Sequence, residues 1–213
     1  MNISVIFIQL TYAMEKMLAF IVILEQLVIS IVIIMDTIGA GFLQSVIKRV
    51  KYYKQLGDSS FIQLEEKDFY FQPNSTSNSL AVIIQHMAGN MLSRWTNFLL
   101  EDGEKIWRNR DTEFEDQHYS KEQLLELWEK GWNCFLGTLE SLKESDLLQT
   151  IYIRSEPLIV VDAINRQLAH YPYHVGQIIY IAKIIRDQQW KSLSIEKNKS
   201  SDYNAMMAKN ARP

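Results

Sequence analysis

The four histidines of this chain fall at positions 86, 118, 170 and 174, and two of them, His170 and His174, stand four residues apart in a stretch with helical apolar spacing. Four residues turn an α-helix by about 400°, so both imidazoles project from one face, one turn apart, and can grip a single ion. His86 lies beside the apolar stripe of an earlier helix. Three neutral imidazoles from two facing helices leave coordination positions open for water or substrate, the arrangement of a catalytic rather than a closed structural site. Imidazole donors favour zinc or nickel among the divalent ions. Asn90, Arg166 and Gln177 each lie within one turn of a histidine on their own helices, which makes them candidates to hold a second ring nitrogen or to face a substrate. His118 sits in a polar connection and reads as a solvated loop residue. The single cysteine, Cys134, stands among Trp132, Phe135 and Leu136 and reads as a small core hydrophobe, while Trp95, Trp128 and Trp132 read as core or interface. No Ser, His and Asp set and no nucleotide-binding glycine loop stands out, and no catalytic side chain is assigned.

The elements that must position these residues are helical. Phe42, Val46, Val50 and Tyr53 recur every three or four residues, and this first amphipathic helix is expected to stop at Gly57. A polar linker ends in Pro73, Asn74, Ser75, Thr76 and Ser77, after which Ser77, Asn78 or Ser79 can cap a second helix from about Leu80 to Leu100. Its stripe is Ile83, Ile84, Met87, Met91, Trp95, Phe98 and Leu99, with His86 alongside. Ser120 with Gln123 three residues later makes a capping box for a third helix ending near Leu142. The stretch from Thr150 to Val161 alternates as a short hairpin or extended crossover does. A fourth helix, capped near Asp162 and ending near Asp187, carries Gln167, His170, Tyr171, His174, Ile178 and Ile181 along one broad face. Pro172 between the two histidines predicts a kink there. The fold class expected is all-α: a four-helix bundle over residues 41–194 with long crossover connections, a polar tail over 195–213 and a hydrophobic extension over 1–40.

That extension differs from everything after it. Met17 to Met35 is nearly uninterrupted Leu, Ile, Val, Phe and Met, long enough for a bilayer and broken by Glu25, Gln26 and Ser30. Thirteen strongly apolar residues contribute roughly −4 to −8 kcal/mol to insertion, against roughly +3 for the mid-span acid. The extension therefore reads either as an uncleaved membrane anchor, the body held in the cytosol by Lys48, Arg49, Lys51 and Lys54, or as an overextended frame whose natural start is Met35. The remaining composition bounds the rest. The 213 residues, 47% hydrophobic, supply one core. A net charge of −3 from 22 basic and 25 acidic residues gives no field for nucleic acid, and one cysteine excludes an intrachain disulfide, so a cytoplasmic location is expected.

Two runs carry a resemblance: Ile84, Gln85, His86, Met87, Ala88, Gly89, Asn90, and Leu168 through Ile178 with His170, Tyr171, Pro172, Tyr173 and His174. From about Phe42 to Ser194 the chain resembles the DinB-like superfamily, and within it an uncharacterised family with a similar Arg94, Trp95, Asp102, Gly103, Glu104, Lys105 and Trp107 pattern. The resemblance implies a four-helix bundle with a long crossover, frequent homodimers, and a divalent metal on His86, His170 and His174. It further implies a small-molecule substrate and either thiol transfer with a low-molecular-weight thiol such as bacillithiol or mycothiol, or metal-dependent hydrolysis. The hydrophobic extension departs from the family pattern. The expected function is thus a metal-dependent transferase or hydrolase in which the ion activates a thiol or water. Its alternative is a non-catalytic, metal-stabilised dimeric binding or scaffold protein, tethered to a membrane through residues 17–35.

Overall fold

A computed structural model describes residues 3–115 and 117–210 of the backbone, with side chains described at 12, 14–29 and from 38 onward within that span. The polypeptide is mostly helical, with one small two-stranded sheet. Helix α1 runs unbroken from Ile3 to Phe61, α2 from Leu80 to Trp95, α3 from Lys121 to Ser141 and α4 from Val160 to Arg186. A short α5, Ser200–Asn210, is exposed throughout its length. Helix α2 packs on α3 and α4, and α1 packs on α3 and α4.

Local chemistry explains most boundaries. The Ser79 hydroxyl accepts from Val82 N at 3.3 Å and opens α2. The expected capping box opens α3: the Ser120 hydroxyl accepts from Gln123 N while the Gln123 side-chain oxygen accepts from Ser120 N. Helix α2 ends at Trp95, five residues before the position expected from its apolar spacing, because Phe98 reaches the core from a turn instead. Strands β1 (Thr150–Ile153) and β2 (Glu156–Ile159) form the expected hairpin, antiparallel with Ile151 opposite Leu158. Helix α4 begins at Val160, directly from β2, and continues through Pro172 without a break in its assignment.

One expectation is corrected: Gly57 lies inside α1 rather than at its end. A Cβ there would stand 2.4 Å from the ring of Trp128 on α3, so this glycine admits an indole rather than stopping a helix. Asp58 then accepts from Trp128 Nε1 at 2.7 Å and fixes that ring. The N-terminal extension is described in part. Among the described residues no helix is long and apolar enough to cross a membrane. The side chains of residues 30–35 of the expected span, the proposed start at Met35 included, lie outside the described ones, as do residues 211–213 of the expected tail. The described side chains from Tyr12 to Ile29 are all exposed, and among the described residues Gly39 and Leu43 are buried against the body.

The core is aromatic at its centre. Trp128 and Trp132 meet edge to face at 5.3 Å, and Phe135 lies between Trp95 at 4.5 Å and Tyr171 at 5.1 Å. Trp95 Nε1 donates to the Tyr171 hydroxyl at 3.1 Å, which donates to Asn90 Oδ1 at 2.9 Å. This buried chain ties α2 to α4 one turn from the histidines. Burial pushes the Tyr171 hydroxyl well above the usual phenol range, so it stays a neutral donor.

Candidate metal centre

Helices α2 and α4 bring His86, His170 and His174 together. His170 Nε2 stands 3.0 Å from His174 Nε2 and 3.4 Å from His86 Nε2. Two imidazole nitrogens on one ion at ~2.0–2.1 Å, at angles between octahedral and tetrahedral, stand ~2.9–3.4 Å from each other. The donor set therefore fits a shared divalent ion. Among the described residues these three are the group of His, Cys, Asp and Glu whose ligand atoms converge in this way. His86 and His174 are buried, and His170 is half-buried, so the cluster reaches solvent on the His170 side.

Each ring is held from behind, which turns its Nε2 toward the shared point. His174 Nδ1 is 2.8 Å from Gln177 Oε1, His170 Nδ1 is 3.2 Å from Gln167 Oε1, and His86 Nδ1 is 3.0 Å from Glu113 Oε2. An oxygen acceptor at every Nδ1 keeps the proton there and leaves the Nε2 lone pairs facing one another. Burial pushes His170 down to about 3, with His174 and His86 contributing, and burial pushes His174 down to about 4. At neutral pH both are neutral imidazoles, the form a metal ion needs.

Glu113 was not apparent from the sequence. It sits in the connection between α2 and α3, 27 residues from His86, where no periodicity marks it. Burial works to raise its pKa, but the His86 ring and the Arg108 guanidinium outweigh this and hold the carboxyl below the usual range. Arg108 Nε and Nη2 donate to its two oxygens at 2.7 and 2.9 Å. A Cβ at Gly89 would lie 2.2 Å from Glu113 Oε1, so glycine there is what lets the carboxylate pass α2 on its way to His86. Phe114 covers the His86 ring with a centroid separation of 4.7 Å.

The network continues outward. Arg94 donates to Gly103 O and, at 2.8 Å, to Glu104 Oε2, which Arg154 Nε also reaches at 3.0 Å. Asp102 accepts from Arg154 N at 2.8 Å and Ser155 N at 2.7 Å, and these two residues carry the positive φ angles of the hairpin turn. Arg94 on α2 together with Asp102, Gly103 and Glu104 just after it thus fasten the hairpin to α2.

Of the other residues singled out from the sequence, Gln177 is on a ligand ring, whereas Asn90 is engaged by Tyr171 and Arg166 is exposed, acting on His170 through its charge. His118 is exposed in the α2–α3 connection with a positive φ. Cys134 is half-buried, 3.5 Å from the Thr96 hydroxyl. A cleft of about 600 Å³, lined by Asn74, Ser77, Ile83, Tyr173, Gln177 and Tyr180 among others but by none of the three histidines, lies on the Nδ1 side of His174. Gln177 serves both, and Tyr173 packs on His174 with centroids 4.6 Å apart.

A search of curated proteins finds no match to this chain. The profile of one family, described as a protein of unknown function (DUF1572), matches residues 37–199, which spans both histidine-bearing helices and the segment that carries Glu113. The chain belongs to the DUF1572 family.

Proposed function

We propose that this protein is a divalent-metal-dependent enzyme of the DinB-like type, a four-helix bundle whose His86, His170 and His174 hold zinc or nickel. The observation that carries the reading is the convergence of three Nε2 atoms, each with its Nδ1 held by an oxygen acceptor. Bound there, the ion would supply a lowered pKa to a coordinated thiol or water, and so a nucleophile at neutral pH. The chain's own contribution is positional. Glu113, Gln167 and Gln177 fix the rings, Phe114 shields His86 from water, and the half-buried edge of His170 leaves a way in. The cleft that shares Gln177 with the centre is of the size that takes a small molecule, and its lining carries hydroxyls and amides but no ionised side chain. That lining suits an uncharged polar substrate with one apolar flank. Thiol transfer and hydrolysis are both within the reach of such a centre, in the cytoplasm of the cell.

The test joins metal analysis to turnover. Purified protein is expected to carry one equivalent of zinc or nickel per chain, and the His86→Ala and His174→Ala variants to carry none. The loaded protein is then assayed on an activated ester and on a low-molecular-weight thiol with an electrophile. His170→Ala should abolish whichever turnover is found with circular dichroism unchanged. Wild-type protein that binds no equivalent of either metal would end the proposal.

A further inference from the structure

Two tyrosines stand open in the cleft on the Nδ1 side of His174. Tyr173 and Tyr180 are 58% and 68% exposed, and both line it. Their spacing puts them on one face of α4, about 10 Å apart along its axis, with Gln177 one turn from each. Tyr173 is placed by its contact with the His174 ring, and Gln177 by the bond its Oε1 accepts from His174 Nδ1. Among the described residues no hydrogen bond engages the side-chain nitrogen of Gln177, the side-chain amide of Asn78 or the hydroxyl of either tyrosine. The opposite wall is the loop 73–78. Asn74 Oδ1 accepts there from Thr76 N at 3.0 Å, Thr76 Oγ1 at 2.8 Å and Ser77 Oγ at 3.1 Å, which gives this wall its shape before anything binds. Ile83 and Ile181, 2% and 6% exposed, supply an apolar floor.

These features restrict the occupant. No ionised side chain lines the cleft, so a charged ligand would give up water and gain no counter-charge. Amides and hydroxyls stand on both walls, each able to donate and to accept, and they call for a ligand with donors and acceptors around its whole rim. The electron-rich face of a tyrosine attracts the C–H groups of a saturated ring laid against it. A pyranose meets all of these conditions: it is uncharged, its rim is hydroxyl and its face is C–H. At about 600 Å³ the cleft falls within the roughly 300–1,000 Å³ of small-molecule sites and has room for such a ring.

We propose that this cleft is a sugar-binding subsite, in which Tyr173 and Tyr180 stack on a neutral pyranose while Gln177 and Asn78 bond its hydroxyls. The inference rests on the reading of the cleft as part of the substrate site and names the substrate's class. None of the three histidines lines the cleft, so the sugar is the part of the substrate that is held rather than the part that reacts.

The experiment is isothermal titration calorimetry of the full chain with the methyl glycosides of glucose, galactose and mannose, run on metal-loaded and on chelated protein. At least one glycoside is expected to saturate a single site with a dissociation constant of about 1 mM or tighter. Tyr180→Ala should weaken that binding ~10-fold, whereas Tyr180→Phe, which keeps the ring, should stay within a few-fold of wild type. Tyr52→Ala, which removes an exposed tyrosine of α1 outside the cleft, should change nothing. Near-ultraviolet circular dichroism of the Trp-rich body reports that each variant remains folded. Absence of saturable binding for all the glycosides overturns the proposal, as does undiminished affinity in Tyr180→Ala or equal loss in Tyr52→Ala. Adenosine bound more tightly than every glycoside overturns it in favour of a nucleoside site. The metal reading fails on a different measurement, the metal analysis, and glycoside binding to chelated protein upholds the sugar subsite without it.

Discussion

At the scale of single residues, the centre depends as much on what stands behind the histidines as on the histidines. Glu113→Gln keeps a hydrogen-bond acceptor for His86 Nδ1 but removes the charge that Arg108 locks in place, and is expected to weaken metal affinity 10–100-fold in a competition titration with a chelating dye. Gly89→Ala should do comparable harm without touching a ligand, because the new methyl would occupy the space of Glu113 Oε1. The depressed histidines also set a pH dependence. In metal-free protein the folded chain refuses protons on His170 and His174 down to about pH 3 and 4, whereas the unfolded chain accepts them near 6.5. The unfolded state thus binds more protons, and stability falls as pH drops from about 6.5 toward 4. Urea midpoints of chelated protein at pH 7 and pH 4.5 check the sign, and the His170→Ala variant should show a shallower fall. Residue spacing marked His170 and His174, since i, i+4 imidazoles on a helix face are a local pattern, whereas His86, on another helix, was joined to them by the family resemblance. Glu113 was not legible, because a contact across 27 residues of irregular chain leaves no local pattern. Asn90 was misleading for the opposite reason: it lies one turn from His86, yet the Tyr171 hydroxyl claims it.

At the scale of elements, the apolar period marked where α2, α3 and α4 lie, and cap chemistry marked where α2 and α3 begin. What the period could not mark was tertiary use of a residue with two meanings. Gly57 reads locally as a helix stop, but its role is to accept Trp128, and only the fold shows that partner. Gly57→Ala gains helix propensity and loses that fit. With a Cβ 2.4 Å from an indole held by Asp58, overpacking should dominate and destabilise the protein by about 1–3 kcal/mol, read from urea unfolding. The hairpin was visible as alternation, but its fastening through Asp102 was not, since that carboxylate serves a turn 52 residues away.

At the scale of the whole molecule, the aromatic core of Trp95, Trp128, Trp132, Phe135 and Tyr171 closes without any help from the histidine cluster. Removal of the metal should therefore leave the helical content intact. Far-ultraviolet circular dichroism before and after chelation is expected to differ little, while a loss of most helical signal would mark the ion as structural. The first half of α1 stands apart from this core, which is why its apolar run reads equally from sequence as a membrane anchor and as a superfluous extension: hydrophobicity alone does not say what covers it.

The ladder of rings that begins at His170 has an optical corollary. His170 lies against Tyr171 at 5.3 Å, Tyr171 meets Trp132 at 6.0 Å, and Trp132 meets Trp128 at 5.3 Å, so the buried indoles that dominate emission begin two ring contacts from His170. Open-shell nickel added to the protein should dim that fluorescence and closed-shell zinc should not, so emission would tell which of the two ions the cluster had taken up.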